Sequence, residues 1–240
     1  PVERLIAGLT LRRSERVFEA GCGTGFATVQ LARDAGEVLA VDLSEGMLAR
    51  ARRRLEESGG RNVRFQAGDA LAALAGGGVF DLVFSSWVLG YIPLRPFFAA
   101  AHGALAGGGR LAFIVHKEQS PREPLEIFGE LVAEDPTLLL KRVAFDFPRD
   151  ADQVRTLVSA AGFEIQAVGG GEVVFRYPTA QQVLDHLLKS GAGTAFYDAI
   201  DPGRREALTE RFLESLARRR TPHTGFEVRH EYVTCEAVKS

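Results

Sequence analysis

Three glycines at alternate positions, Gly21, Gly23 and Gly25, follow a short apolar run that ends in a carboxylate, Val17-Phe18-Glu19-Ala20. Glycines spaced this way let a backbone turn sharply and come close to a ligand. Asp42 closes the next apolar run, 17 residues after Gly25. A carboxylate in that place accepts both hydroxyls of a ribose. The pattern is Glu-x-Gly-x-Gly-x-Gly, with Phe26 where a dinucleotide fingerprint carries its last glycine, which disfavours a pyrophosphate ligand. No Lys-Ser/Thr pair follows the glycines, which excludes a Walker A phosphate loop. The bland alternative is a tight strand-to-helix turn with no ligand.

Other reactive side chains are sparse. Cys22 sits between two of the glycines with no histidine near it in sequence, so it reads as a small residue the turn tolerates rather than a nucleophile. Of the five histidines, His116 stands at the carboxyl end of the fifth apolar run, and Tyr91 lies in the loop after the fourth. These two are the candidates for a general base; the alternative for His116 is a loop residue bonded to backbone. His102 reads as solvated in mid-helix, and His186, His223 and His230 as structural. Two arginine runs, Arg50 to Arg54 and Arg218 to Arg220, each have acids nearby on an otherwise amphipathic helix, the signature of a solvated face.

The elements that must position these groups alternate. Apolar runs at 17–20, 38–41, 63–67, 81–84 and 111–115 are separated by helical patterns at Thr28 to Asp34 and Glu45 to Glu57, with Ser44 as N-cap of the second. No hairpin dipeptide joins neighbouring runs. Alternation of this kind predicts a parallel sheet wrapped by right-handed crossovers. The second half differs. Lys117 to Pro148 carries four prolines and two short helical patterns. A helix over 150–161 ends at Gly162, and 163–177 reads as one strand interrupted by Gly169-Gly170-Gly171. Helices over 179–189 and 202–219 precede a final strand over 225–238.

Composition narrows the class. The chain has 240 residues and a formal net charge of −2, which excludes a strongly basic nucleic-acid wrapper. Cys22 and Cys235 are too few for a disulfide framework or a metal quartet, so no metal is expected. They read as reduced, which points to the cytoplasm. The longest apolar stretch, Val79 to Leu94, contains Asp81, Ser85, Ser86 and Pro93 and does not span a membrane. The first residue is Pro1 rather than Met, which leaves whatever precedes it unread.

The segments VFEAGCGTGFATVQLA, VLAVDLSEGMLARAR, VRFQAGDA, FDLVFSSWVLGYI and LAGGGRLAFIVHK, in that order, resemble class I S-adenosylmethionine-dependent methyltransferases over about residues 16 to 117. The resemblance implies an α/β fold, a Rossmann-like, seven-stranded, mostly parallel sheet with helices on both faces and a helical cap. It implies that Glu19, Gly21, Cys22, Gly23 and Gly25 surround the methionine part of S-adenosylmethionine, and that Asp42 holds the ribose. Leu43 and Met47 would pack on adenine. Gly68, Asp69 and Ala70 would read its edge, and Ser85 and Ser86 would face cofactor and acceptor. Met47 as plain core and Asp69 as a mere turn residue are the alternatives. The expected product is S-adenosylhomocysteine and the expected acceptor a small molecule, methylated at oxygen, with nitrogen and carbon as the open alternatives.

The tail, FRYPTAQQVLDHLLKSGAG and GFEVRHEYVTCEAV, partly resembles malonyl-carrier-protein O-methyltransferases of biotin synthesis, through Leu188, Lys189, Gly191 and Ala192. That resemblance implies an acyl carrier protein as a second candidate partner. A non-catalytic S-adenosylmethionine-binding regulator is the alternative from another class. One domain, 1–240, is expected, as monomer or homodimer, with insertions at about 117–148 and 178–224. The insertions are expected to form a cap over the active site without a core of its own, with a dimer interface as the alternative role.

Overall fold

A computed structural model describes residues 1–219 and 225–240, with the backbone alone at 191 and 192. The expectations for Arg220, His223 and the Thr224 end of the second insertion lie outside the described residues. Seven strands form one sheet: β1 Arg16–Ala20, β2 Glu37–Asp42, β3 Val63–Ala67, β4 Phe80–Ser86, β5 Leu105–His116, β6 Phe163–Tyr177 and β7 Phe226–Lys239, in the order β3-β2-β1-β4-β5-β7-β6. Strands β1 to β5 pair in parallel, and β7 runs antiparallel to β5. The α/β class and the mostly parallel sheet expected from alternation are what the chain adopts.

The apolar runs are nearly continuous because both faces of the sheet are covered. Val17, Phe18, Ala20, Val38, Ala40 and Val41 are all buried, in two apolar layers on opposite faces. Among the described residues, helices α1 Val2–Gly8, α2 Phe26–Asp34, α3 Glu45–Glu57, α4 Ala70–Gly76, α5 Leu94–Ala104 and α7 Ala151–Ala160 belong to this part of the chain. α1 has no counterpart in the sequence reading, yet it buries Val2, Leu5 and Ile6 on one face.

Contacts divide the chain into two compact units. The first is Pro1–Glu118, Asp146–Gly170 and Tyr232–Ser240; the second is Gln119–Phe145 and Gly171–Glu231. The second contains α6 Arg122–Glu134, α8 Ala180–Leu188, α9 Gly191–Ala199 and α10 Arg205–Arg218. It gathers its own apolar cluster, including Ile127, Leu131, Val183, Leu208, Phe212 and Val228. The added residues were expected to lack a core, and they have one. α6, α8 and α10 each present an apolar stripe wide enough to bury against the others.

Other differences have local causes. β6 is unbroken through its three glycines because ladder pairing holds the backbone there; a Cβ on Gly170 would stand 3.4 Å from the Tyr232 carbonyl. α9 carries glycines that argue against a helix, but Ser190 caps it by accepting the Gly193 N–H at 3.1 Å. The expected start of α10 at Pro202 is instead a 3-10 turn, Pro202–Arg204, capped by Asp201. In the region of Lys117 to Pro148 one 13-residue helix and a 3-10 turn replace two short helices. His102 is half-buried with its ring edge-on to Phe163, 5.1 Å between centroids, rather than solvated.

Candidate active site

Register places the chemistry. Ala20 lies opposite Val41 on one side and Ser85 on the other, Asp42 opposite Ala67, and Ser86 opposite Ile114. The strands therefore end level, and the residues after them share the carboxyl edge of the sheet. Strand order reverses between β1 and β4, which is where an open α/β sheet leaves a crevice.

At that crevice Gly21, Gly23 and Gly25 have φ of 68°, 54° and 79°, a left-handed conformation that other residues adopt only under strain. The Gly21 and Cys22 N–H groups donate to the Val41 carbonyl at 2.8 and 3.0 Å, which folds the loop over β2. The Gly23 N–H donates to Asp42 Oδ2 at 2.8 Å, and the Ser44 N–H to Oδ1 at 2.9 Å. Asp42 is thereby fixed in orientation while each oxygen keeps a lone pair to offer. The Gly68 N–H donates to the Asp42 carbonyl at 3.0 Å. α2 starts at Phe26 behind its N-cap Gly25 with no side-chain cap, and a helix N-terminus of this kind attracts an anion.

Glu19 is fully buried. The Thr28 hydroxyl donates to its Oε2 at 2.6 Å, and its Oε1 has no hydrogen-bond partner. Burial pushes its carboxyl up to about 7, with the Thr28 bond opposing and the negative Asp42 adding. Such a group lacks a cationic or N–H partner, and a ligand carrying one satisfies it. Space is present as well: a Cβ on Gly23 or on Gly68 would meet nothing within 4 Å. Leu43, Met47 and Phe26 stand exposed beside these groups in sequence, at 77%, 40% and 49%. Met47 is thus not core. The loop, the orphan oxygen and the apolar surface together fit an amino-acid and nucleoside ligand.

The remaining predicted residues fall as follows. Asp69 caps α4 by accepting the Ala72 N–H at 2.9 Å, and Ala70 is buried behind it. The Ser85 hydroxyl donates to the Ala20 carbonyl at 3.2 Å and ties β4 to β1; Ser86 is half-buried at the strand end. Cys22 is buried, and burial, then the charges of Glu19 and Asp42, raise its thiol far above the usual range. A thiolate nucleophile is excluded there. His116 and Tyr91 both pack on Phe147, with centroids at 6.3 and 5.2 Å. Burial lowers the His116 imidazole to about 4, so it is neutral at physiological pH.

Sequence reasoning missed three neighbours. Thr28 was legible only by asking what could balance a buried Glu19. Val88 packs against the loop: a Cβ on Gly21 would meet its Cγ1 at 2.5 Å. Trp87, the lone tryptophan, has φ 65°, a strained value for a bulky residue, and its N–H donates to the Ile114 carbonyl at 2.9 Å. Its ring lies 4.5 Å from His116 and edge-on to Tyr232 at 5.6 Å. Elsewhere Arg52 and Arg53 pair with Glu45 and Glu57 of their own helix, at 3.7 and 3.8 Å, as a solvated face does. Among the described residues no cluster of three or more metal-ligating side chains occurs, and no helix is long and apolar enough to cross a membrane.

Residues 17–109 match the family model described as a methyltransferase domain. The chain is 33% identical over 90 residues to the protein-L-isoaspartate O-methyltransferase of Rhizobium meliloti (strain 1021), covering 38% of this chain and 44% of that one. The chain spans about half the length of the curated relatives of this kind, 44% and 52% for two of them. It is 29% identical over 190 residues to the demethylmenaquinone methyltransferase of Lactococcus lactis subsp. lactis (strain IL1403), covering 69% of this chain and 73% of that one. The solved YcgJ protein of Bacillus subtilis superposes with a TM-score of 0.66 at 18% identity, covering 99% and 97% of the two chains, and shares the fold.

Proposed function

We propose that this chain, which carries a class I methyltransferase domain, binds S-adenosylmethionine and transfers its methyl group to a small-molecule acceptor at oxygen. The observation that carries the reading is the joined set of Glu19, the three-glycine loop and Asp42 at the carboxyl edge of the sheet. Two acids with open acceptor capacity flank a backbone cradle. That is the chemistry that recognises an amino group at one end and a ribose at the other.

S-adenosylmethionine supplies an activated methyl group on a sulfonium sulfur. The chain's own task is then to bind, orient and exclude water. In this reading Glu19 answers the ammonium, the N-terminus of α2 the carboxylate, and Asp42 the ribose hydroxyls. Leu43 and Met47 offer apolar surface to adenine, beside Gly68, Asp69 and Ala70. Holding an acceptor in line with the methyl group is worth up to ~7–11 kcal/mol in favourable cases. His116 is a weak base, because its conjugate acid titrates near 4. It therefore accepts a hydrogen bond from the acceptor hydroxyl and aims it, with Trp87 stacked on it, and the proton that the oxygen loses on taking the methyl group passes to solvent. Tyr91 shares the same aromatic wall through Phe147.

The test is calorimetry with S-adenosylmethionine on wild type and Asp42→Ala. Losing hydrogen bonds to a charged group costs about 1.5–3 kcal/mol. The variant should bind about 10–150-fold more weakly; unchanged affinity would refute the ribose role, and tighter binding of NAD by wild type would revive a dehydrogenase. A panel of hydroxyl and carboxyl acceptors, with malonylated carrier protein among them, then scores S-adenosylhomocysteine release. Binding without release on any acceptor leaves the regulator reading in possession.

A further inference from the structure

The second unit packs much of its interior tightly: Ile127, Val183, Leu208 and Phe212 are at most 7% exposed. It nevertheless keeps a cavity of about 80 Å³ among α6, α8, α9 and α10, with walls that include Leu125, Phe128, Leu184, Leu187, Phe196 and Phe212. We propose that this pocket is a binding site for the apolar end of a small molecule, a group of roughly three carbon atoms such as an isopropyl group or the methyl-bearing edge of an aromatic ring, about half of what the ~150 Å³ apolar cavity that takes benzene holds.

Three observations carry it. Three hydroxyl-bearing side chains, Ser190, Tyr197 and Thr209, stand on the wall, and Ser190 is spent internally: its Oγ donates to the Leu187 carbonyl at 2.6 Å and accepts the Gly193 N–H at 3.1 Å. Tyr197 lies with its ring under the Arg205 guanidinium, 5.0 Å away. A water needs two to four polar partners, and this otherwise aliphatic and aromatic wall offers it at most the Tyr197 and Thr209 hydroxyls. The aromatic side is also braced: the Phe196 ring rests 4.9 Å from Phe128 and 5.7 Å, edge-on, from Phe145. Rings locked against one another do not swing inward to fill the space. What this pocket favours is thus an apolar group, and its chemistry does not depend on methyl transfer in the first unit.

The experiment follows leucine and valine methyl resonances of the full chain while toluene, 3-methylbutan-1-ol or glycerol is added. Toluene and 3-methylbutan-1-ol should give saturable shifts, and glycerol none. Leu184→Phe and Leu187→Phe, which fill the space from one wall, should each weaken toluene binding at least tenfold and leave S-adenosylmethionine affinity unchanged by calorimetry. Absence of saturable shifts in wild type, equal binding of glycerol, or undiminished toluene binding in both variants overturns the site. None of these outcomes touches the methyltransferase reading, which stands or falls on cofactor binding. With an acceptor in hand, competitive inhibition by toluene assigns the cavity to the acceptor's own apolar group; non-competitive inhibition or activation assigns it to a separate apolar effector.

Discussion

Glu19 shows how one side chain ties folding to ligand choice. A carboxyl whose folded value is raised to about 7 holds a proton that the unfolded chain has released above its ordinary 4.5. Folding stability therefore falls as pH rises from 4.5 to 7 and is flat above, by the sign of the linkage relation. The ionised form is the one that answers an ammonium. Affinity for S-adenosylmethionine should rise with pH through about 7 and then level. Glu19→Gln should lose that dependence and, as free protein at pH 8, melt higher than wild type. The ratio of wild-type to variant affinity between pH 5.5 and 8.5, by calorimetry, checks this, since the ligand's own amine cancels. A ratio flat across the range would remove Glu19 from the site. At this scale the sequence was informative: Glu19, the glycines and Asp42 were legible from type and spacing. Thr28 and Trp87 were not, because a buried bond and a left-handed φ leave no local signature.

Between elements, close approach sets what a position tolerates. Gly25 sits where α2 meets α3, and a Cβ there would stand 2.9 Å from the Ala51 Cα, at a φ of 79°. Backbone strain and overpacking each cost about 1–3 kcal/mol. Gly25→Ala should lower stability by roughly 2–6 kcal/mol and weaken cofactor binding as well, measured by urea unfolding and calorimetry; Gly23→Ala, where the space is open, should keep the packing and test the loop alone. In the second unit, α8 meets β6 and β7 through Tyr177, His186 and His230. The Tyr177 hydroxyl bonds His186 Nδ1 at 2.7 Å, and the two Nε2 atoms lie 2.8 Å apart. One proton serves the bond between the imidazoles, and burial, with Lys189 nearby, lowers His186 below its ordinary 6.5. The unfolded chain then binds more protons, so this contribution to stability is present above pH 6.5 and is lost as pH falls below it. Urea midpoints at pH 7.5 and 5.5 should converge less for wild type than for His186→Phe; equal pH dependence in the two would sink the idea.

For the whole molecule, ligand binding and folding share one equilibrium. S-adenosylmethionine at a hundred times its Kd adds about 2.7 kcal/mol to the folded state. For a chain of this length that is about 5–10 °C in Tm. A scan with and without the ligand checks it, and no shift at saturating ligand would dismiss the site. The near-balance of charge suits a small ligand better than a nucleic acid.

Strand-helix alternation, the glycine loop and the acid after the next strand were determined by the sequence alone, because hydrophobic period and turn chemistry are local. The five strands of the first half could be read with bounds close to those observed, β5 excepted, where the Gly107-Gly108-Gly109 run hides an early start. Only the tertiary structure decided the rest: that β7 slips in beside β5, that β6 runs through its glycines, that α9 forms, and that the added segments own a core. It also brought Trp87, His116, Phe147 and Tyr91 into one aromatic wall. Those outcomes depend on which residues meet across register and packing, between positions far apart in the chain. No local pattern encodes such a meeting, since its energy belongs to the pair and not to either partner.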